Sequence, residues 1–510
     1  MNGSNLLLAG CRPELAVGPD GRILATGSAA RAAAGEDARV VELSGQAWPG
    51  LCDSHLHLEG LARSRLGVDL GGAGSREEAL ERVRRHAGRL RPDAWLLGRG
   101  WYNDQWRDPT FPDRHDLDRA AAGRRVLLHR ADAHSAWLST AALRAARIGA
   151  RTPDPDGGVI DREPSGEPTG ILREKAIALA ERAVPEISDA EYDSALLVSL
   201  RDLARLGLTA VQSFDGSRSL AALQRLHTAG RLPLRVTHHL PLAQLGEAER
   251  MGVRSGLGDD MLRIWGVKGF LDGSLGSRTA QMLDGSGVEV MPQAELEDAA
   301  RRCARAGLNL CLHAIGDRAV RRALDALLPL AGCRSDWRPR LEHAQFVHPD
   351  DLPRFRAGGV IASMQPIHAV TDRPLADAEW PEQAAHAHAW AALRRAGAVL
   401  AFGTDAPVEP ADPLACLHAA TSWRREVGWH PEQALSRKQA LHAYTFGAAY
   451  STGQERKLGR LATGYLCDVT VVNDGRVSAT IVGGRPVWAD RRMKNGHLMG
   501  SRGQNISCSA

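Results

Sequence analysis

Trp48-Pro-Gly-Leu-Cys-Asp-Ser-His55-Leu-His57 is a short apolar run that ends on two histidines spaced two apart, and how it is read decides the fold. Residues i and i+2 of a strand point to the same side, so two imidazoles placed this way can grip one cation. An isolated H-x-H is a weak signal, because a histidine is more often a surface or hydrogen-bonded residue than a ligand. Its weight depends on whether ligand-type residues recur at the ends of later strands.

From residue 47 onward, short apolar strands alternate with amphipathic helices rich in Ala, Leu and Arg, the pattern of parallel β-α units. Eight strands are expected, at 47–58, 208–214, 234–240, 262–271, 309–314, 340–346, 360–366 and 399–404. Eight such units favour a closed (β/α)8 barrel over residues 47–454, with an open doubly wound sheet as the alternative. Residues 75–190 fall between the first and second strands and carry their own helices, turns and Trp residues, which marks an insertion and a candidate lid. Residues 1–46 and 455–490 read as short strands split by turn residues that pair into one small β domain. The polar stretch 491–510 is expected to be a flexible tail.

The 510 residues exceed one ordinary domain, and 44% hydrophobic with 24% charged residues is globular composition. A formal net charge of +4, Arg-driven and dispersed along helices, gives no nucleic-acid footprint. No C-x-x-C pair occurs among the cysteines, and no stretch reaches the roughly 20 apolar residues of a membrane span. A soluble cytoplasmic protein with a small-molecule substrate and no membrane partner is expected; a homodimer is left open.

Functional residues of a parallel barrel sit at the C-terminal ends of its strands. There the fourth strand carries Lys268 in Val267-Lys-Gly-Phe-Leu-Asp-Gly-Ser-Leu-Gly-Ser-Arg-Thr, a cation inside an apolar run. The fifth ends in Leu312-His313-Ala-Ile-Gly-Asp317, the sixth in Leu341-Glu342-His343, and the eighth in Phe402-Gly-Thr-Asp405. Singly each reads as a capping or core-satisfying residue. Together, five ligand-type side chains and an inward lysine make coincidence a poor account.

This set resembles the amidohydrolase superfamily, and within it the amidohydrolase-3 branch of YtcJ-like and N-substituted formamide deformylase-like proteins. Branch-level marks are Gly98-Arg-Gly-Trp-Tyr-Asn-Asp-Gln-Trp106, Arg130-Ala-Asp-Ala-His134-Ser-Ala-Trp137, Gly166-Glu-Pro-Thr-Gly170, Asp272-Gly-Ser-Leu-Gly-Ser-Arg278 and Ser363-Met-Gln-Pro366. The resemblance implies a TIM-like barrel with a composite β-sandwich from both termini and one or two divalent metals, usually zinc. It assigns His55, His57 and Asp405 to one metal and His313 and His343 to a second, with Lys268 carboxylated as a bridge. The implied chemistry is hydrolysis of an amide-type C–N bond by a metal-activated water, with Asp405 as proton shuttle.

Asp53 is a candidate to orient a ligand imidazole or, equally, a strand-end turn former. Trp101, Asp132, His134, Arg278, Gln365 and His368 are candidate substrate contacts, with packing or structural hydrogen bonding the competing role. The same barrel could instead open a cyclic amide, hydrolyse a lactone or deaminate, and a catalytically silent binding protein is the reading from another class.

Overall fold

Strands buried on both faces have no polar side to show, so they read as continuous apolar runs, and here those runs close into a barrel. The computed structural model describes residues 4–490 apart from positions 89, 92, 132, 133 and 277. The Asp132 candidate and the expected tail therefore lie outside the described residues. The barrel strands are β1 (Leu51–Leu56), β2 (Leu208–Ser213), β3 (Arg235–Pro241), β4 (Leu262–Phe270), β5 (Asn309–Ala314), β6 (Arg340–His343), β7 (Ile361–Met364) and β8 (Leu400–Phe402). They run in that order, each parallel to the next. Register sets Lys268 opposite Cys311, Phe270 opposite His313 and Ala314 opposite His343.

The connecting helices carry one apolar face each. In Gln293–Ala306 the buried residues Leu296, Ala299, Ala300 and Cys303 fall at i, i+3, i+4 and i+7, and Gly307, at φ 77°, ends the helix.

Between β8 and β1 the seam is made largely by side chains. Ser54 Oγ donates to Phe402 O at 2.6 Å, Asp53 accepts from Thr404 N at 3.1 Å and from Thr404 Oγ1 at 2.6 Å, and the backbone adds Asp405 N to His55 O at 2.7 Å. Asp53 also accepts from the His55 backbone N–H at 3.0 Å. Its partners are therefore the His55 and Thr404 main chain and the Thr404 hydroxyl, and no imidazole is among them.

Both ends of the chain meet in a seven-stranded sheet. Its strand Arg39–Pro49 pairs in parallel with Leu6–Arg12 on one side and antiparallel with Val469–Asn473 on the other, over a core including Leu8, Leu15, Ile23, Val471 and Ile481.

The chain divides into two units: residues up to 59 with those from 197 onward, and residues 60–196. The second has its own six-stranded sheet and its own core, in which Trp101 and Trp137 are wholly buried. Among the described residues no helix is long and apolar enough to cross a membrane.

Candidate metal centre

The strand ends bring His55, His343 and Asp405 together. One ligand atom from each lies within 4.8 Å of the other two, a grouping unique among the described residues. His55 stands at the end of β1, and its Nε2 is 3.5 Å from Asp405 Oδ1. Alternation along β6 would turn His343 away from Glu342. A left-handed backbone at His343 (φ 74°) and Ala344 (φ 41°) re-aims it, and Asp405 is also left-handed at φ 62°. For residues other than glycine such conformations cost about 1–3 kcal/mol each and persist where the surroundings over-determine them, commonly at functional sites.

His57 Nε2 lies 3.3 Å from Asp405 Oδ1 and its Nδ1 3.7 Å from Asp215 Oδ1. His368 Nε2 faces the other Asp405 oxygen at 3.5 Å, while its Nδ1 meets Gln345 Nε2 at 3.1 Å. Gln365 Oε1 accepts from His343 Nδ1 at 2.9 Å, which leaves the far nitrogen of that ring for a ligand bond. His313 Nε2 is engaged by Gly273 O at 2.9 Å, although its ring stands 4.5 Å from that of His343. Lys268 Nζ is buried with no hydrogen-bond partner, 4.8 Å from the ring centres of both Phe214 and Phe270.

Burial dominates the electrostatics. It drives the imidazoles of His55 and His343 well below their ordinary value, takes His313 down to about 4, and lowers the Lys268 ammonium. Burial raises the Asp405 carboxyl, but His57, His55 and His368 outweigh it and hold it below the usual carboxylate range. Burial likewise lowers His57, yet Asp215 and Asp405 lift it to about 9.

A divalent cation fits this set. His55 Nε2 and Asp405 Oδ1 are buried atoms without hydrogen-bond partners, turned toward one another, and two imidazoles with one carboxylate are hydrolytic zinc-type donors. The expectation that His343 and His313 hold a separate ion differs from this grouping, since His343 gathers with His55 and Asp405 while His313 faces the Gly273 carbonyl.

Trp101, in the core of the second unit, donates through Nε1 to Leu128 O at 2.8 Å. His134, in the same unit, is exposed beside Glu174 at 3.0 Å. Arg278 is largely exposed and pairs with Glu379 at 2.8 Å.

Sequence reasoning missed the groups behind the ligands. Glu342 Oε2 is 2.7 Å from His55 Nδ1, and Arg340 donates to both Glu342 oxygens, at 2.8 and 3.0 Å. The available signal was the i, i+2 spacing of two charged residues, Arg340 and Glu342, on one face of a strand.

A model described as Amidohydrolase family matches residues 39–487. YtcJ of Bacillus subtilis (strain 168), named as an amidohydrolase, is 32% identical, covering 92% of each chain. The N-substituted formamide deformylase of Arthrobacter pascens is 27% identical over 88% of each. The crystal structure of an uncharacterized metal-dependent hydrolase from Pyrococcus furiosus superposes with a TM-score of 0.73 at 32% identity, covering 93% of this chain and 98% of that one. The chain therefore belongs to the amidohydrolase family, in its amidohydrolase-3 branch, and is a hydrolase by that membership.

Proposed function

We propose that this hydrolase is metal-dependent and cleaves a non-peptide, amide-type C–N bond in a small molecule, with Asp405 as the proton shuttle. The observation that carries the reading is the placement of Asp405: one oxygen lies between the nitrogens of His55 and His57 without a hydrogen-bond partner, and the other faces His368. His55, His343 and Asp405 would hold the ion, with His57 beside them, and zinc suits the donors best. When bound, the ion supplies Lewis acidity, activating water and polarising the scissile carbonyl.

The residues of the chain supply the rest. Asp405, kept ionised by its neighbours, takes a proton during attack and passes it to the leaving amine. His368 Nε2, buried and without a hydrogen-bond partner, faces the second carboxylate oxygen, where it can steady Asp405 through that exchange. Lys268, whose ammonium burial destabilises, is suited to react as a neutral amine with CO₂, forming an N–C bond and releasing one proton; the carbamate would supply oxygen donors for a second ion, with His313 as the candidate imidazole donor. The Arthrobacter relative's name supports the C–N class, and formamide-type amides are the first substrates to try.

The test is metal analysis with turnover of N-formyl and N-acyl amines, set against cyclic amides and lactones, before and after chelation. Chelation abolishes activity and Zn²⁺ restores it, and Asp405→Asn loses about 10²-fold or more. Full turnover by metal-free Asp405→Asn protein would sink the proposal.

A further inference from the structure

Arg340 lies on β6 yet reaches Ser54 on β1, Gln212 on β2 and Ser363 on β7, which it can do only through the barrel's interior. Arg340 and Glu342 are both fully enclosed. The guanidinium gives Nε to Glu342 Oε1 at 2.8 Å and Nη2 to Oε2 at 3.0 Å, and its other contacts are Ser54 O at 2.7 Å, Ser363 Oγ at 2.7 Å, Gln212 Oε1 and Ser451 Oγ. Such a buried pair is poor as a stabiliser, since apolar residues of similar volume commonly serve as well. Its value has to be looked for in what it holds.

It holds one ring. A guanidinium-paired carboxylate has only acceptors, so the 2.7 Å contact between Glu342 Oε2 and His55 Nδ1 requires the imidazole proton to sit on Nδ1. A neutral imidazole carries a single N–H, which leaves Nε2 as a bare lone pair. That atom is buried, has no hydrogen-bond partner and lies 3.5 Å from Asp405 Oδ1. We infer that Arg340 and Glu342 form a positioning pair that fixes His55 as the Nδ1–H tautomer and so sets the affinity of the centre for its cation. The inference rests on the proposed metal centre. Neither residue touches the ion or the substrate; both act through His55, and the charged acceptor also makes Nε2 a more basic donor.

Two measurements on the full chain test the pair. Metal-stripped protein is titrated with Zn²⁺ against a chromophoric chelator, comparing wild type with the near-isosteric Glu342→Gln. The variant is expected to bind about 10- to 100-fold more weakly. In metal-free wild type carrying ¹⁵N-histidine, the His55 signals, assigned by their loss in His55→Gln, should show a protonated Nδ1 and an unprotonated Nε2. Unchanged Zn²⁺ affinity in folded Glu342→Gln overturns the inference, and so does a proton on Nε2 in the wild type. If Glu342→Gln does not fold, the wild-type tautomer decides. If the wild type takes up no Zn²⁺, Mn²⁺ or Co²⁺, the metal reading falls, and the tautomer still tells whether Glu342 sets the ring.

Discussion

His238 on β3 is wholly enclosed, and burial pushes its imidazole down to about 4 against the pull of Asp215. In the unfolded chain a histidine titrates near 6.5, so between there and about 4 the unfolded chain binds a proton that the folded one does not. Stability is therefore lost as pH falls through that window and is untouched above it. Replacing His238 by Gln should shrink the drop in stability between pH 7 and pH 5 by about 1–2 kcal/mol. The difference is read from denaturation midpoints of metal-free protein at the two pH values, and an equal drop in both proteins contradicts it. At this scale the residue types at the strand ends were legible, but their partners were not. Asp53, two before His55, was a reasonable candidate to orient an imidazole; it binds Thr404 and the His55 backbone, and the imidazole acceptor is Glu342, 287 positions away. Sequence spacing cannot show which side chains meet across a barrel.

Most of the strands were legible because they are buried on both faces and stand out as apolar runs, although β3 and β6 are interrupted by polar and charged residues. Their ends were less so. The expected 340–346 strand stops at His343, where the backbone turns left-handed, and the expected 399–404 strand is regular only over Leu400–Phe402. The early ending of β8 lets side chains take over the seam between β8 and β1, and Gly403 permits the close approach there. A Cβ at Gly403 would stand 2.5 Å from His55 N and 2.6 Å from Asp53 Oδ1, and the first of these is backbone that cannot swing aside. Gly403→Ala should cost about 1–3 kcal/mol and weaken Zn²⁺ binding as well, because the seam carries His55 on one side and Asp405 on the other. Thermal unfolding and Zn²⁺ titration of the same preparation check this; a lower melting temperature with unchanged affinity would separate the seam from the metal centre.

On the scale of the whole molecule, the β texture of both chain ends was readable from short runs split by turns, whereas the order of the seven strands was not, because it depends on contacts hundreds of residues apart. One contact joins that sheet to the barrel at the level of charge. Arg235 at the start of β3 donates Nε to Asp468 Oδ2 at 2.7 Å and Nη2 to Oδ1 at 2.9 Å, and both side chains are nearly enclosed. Asp468 immediately precedes the strand Val469–Asn473 and also accepts from Gly483 N at 2.8 Å, so one carboxylate fastens two segments of the sheet to a barrel strand. Removing it leaves the guanidinium buried without its counter-charge. Asp468→Ala should therefore cost about 3–5 kcal/mol, whereas the double change Arg235→Met with Asp468→Leu, which removes both charges and keeps volume, should lie closer to wild type. Chemical denaturation of wild type and the two variants decides it. A double variant less stable than Asp468→Ala would mean that the pair contributes through net attraction, and that the cost of stranding a charge is the smaller part.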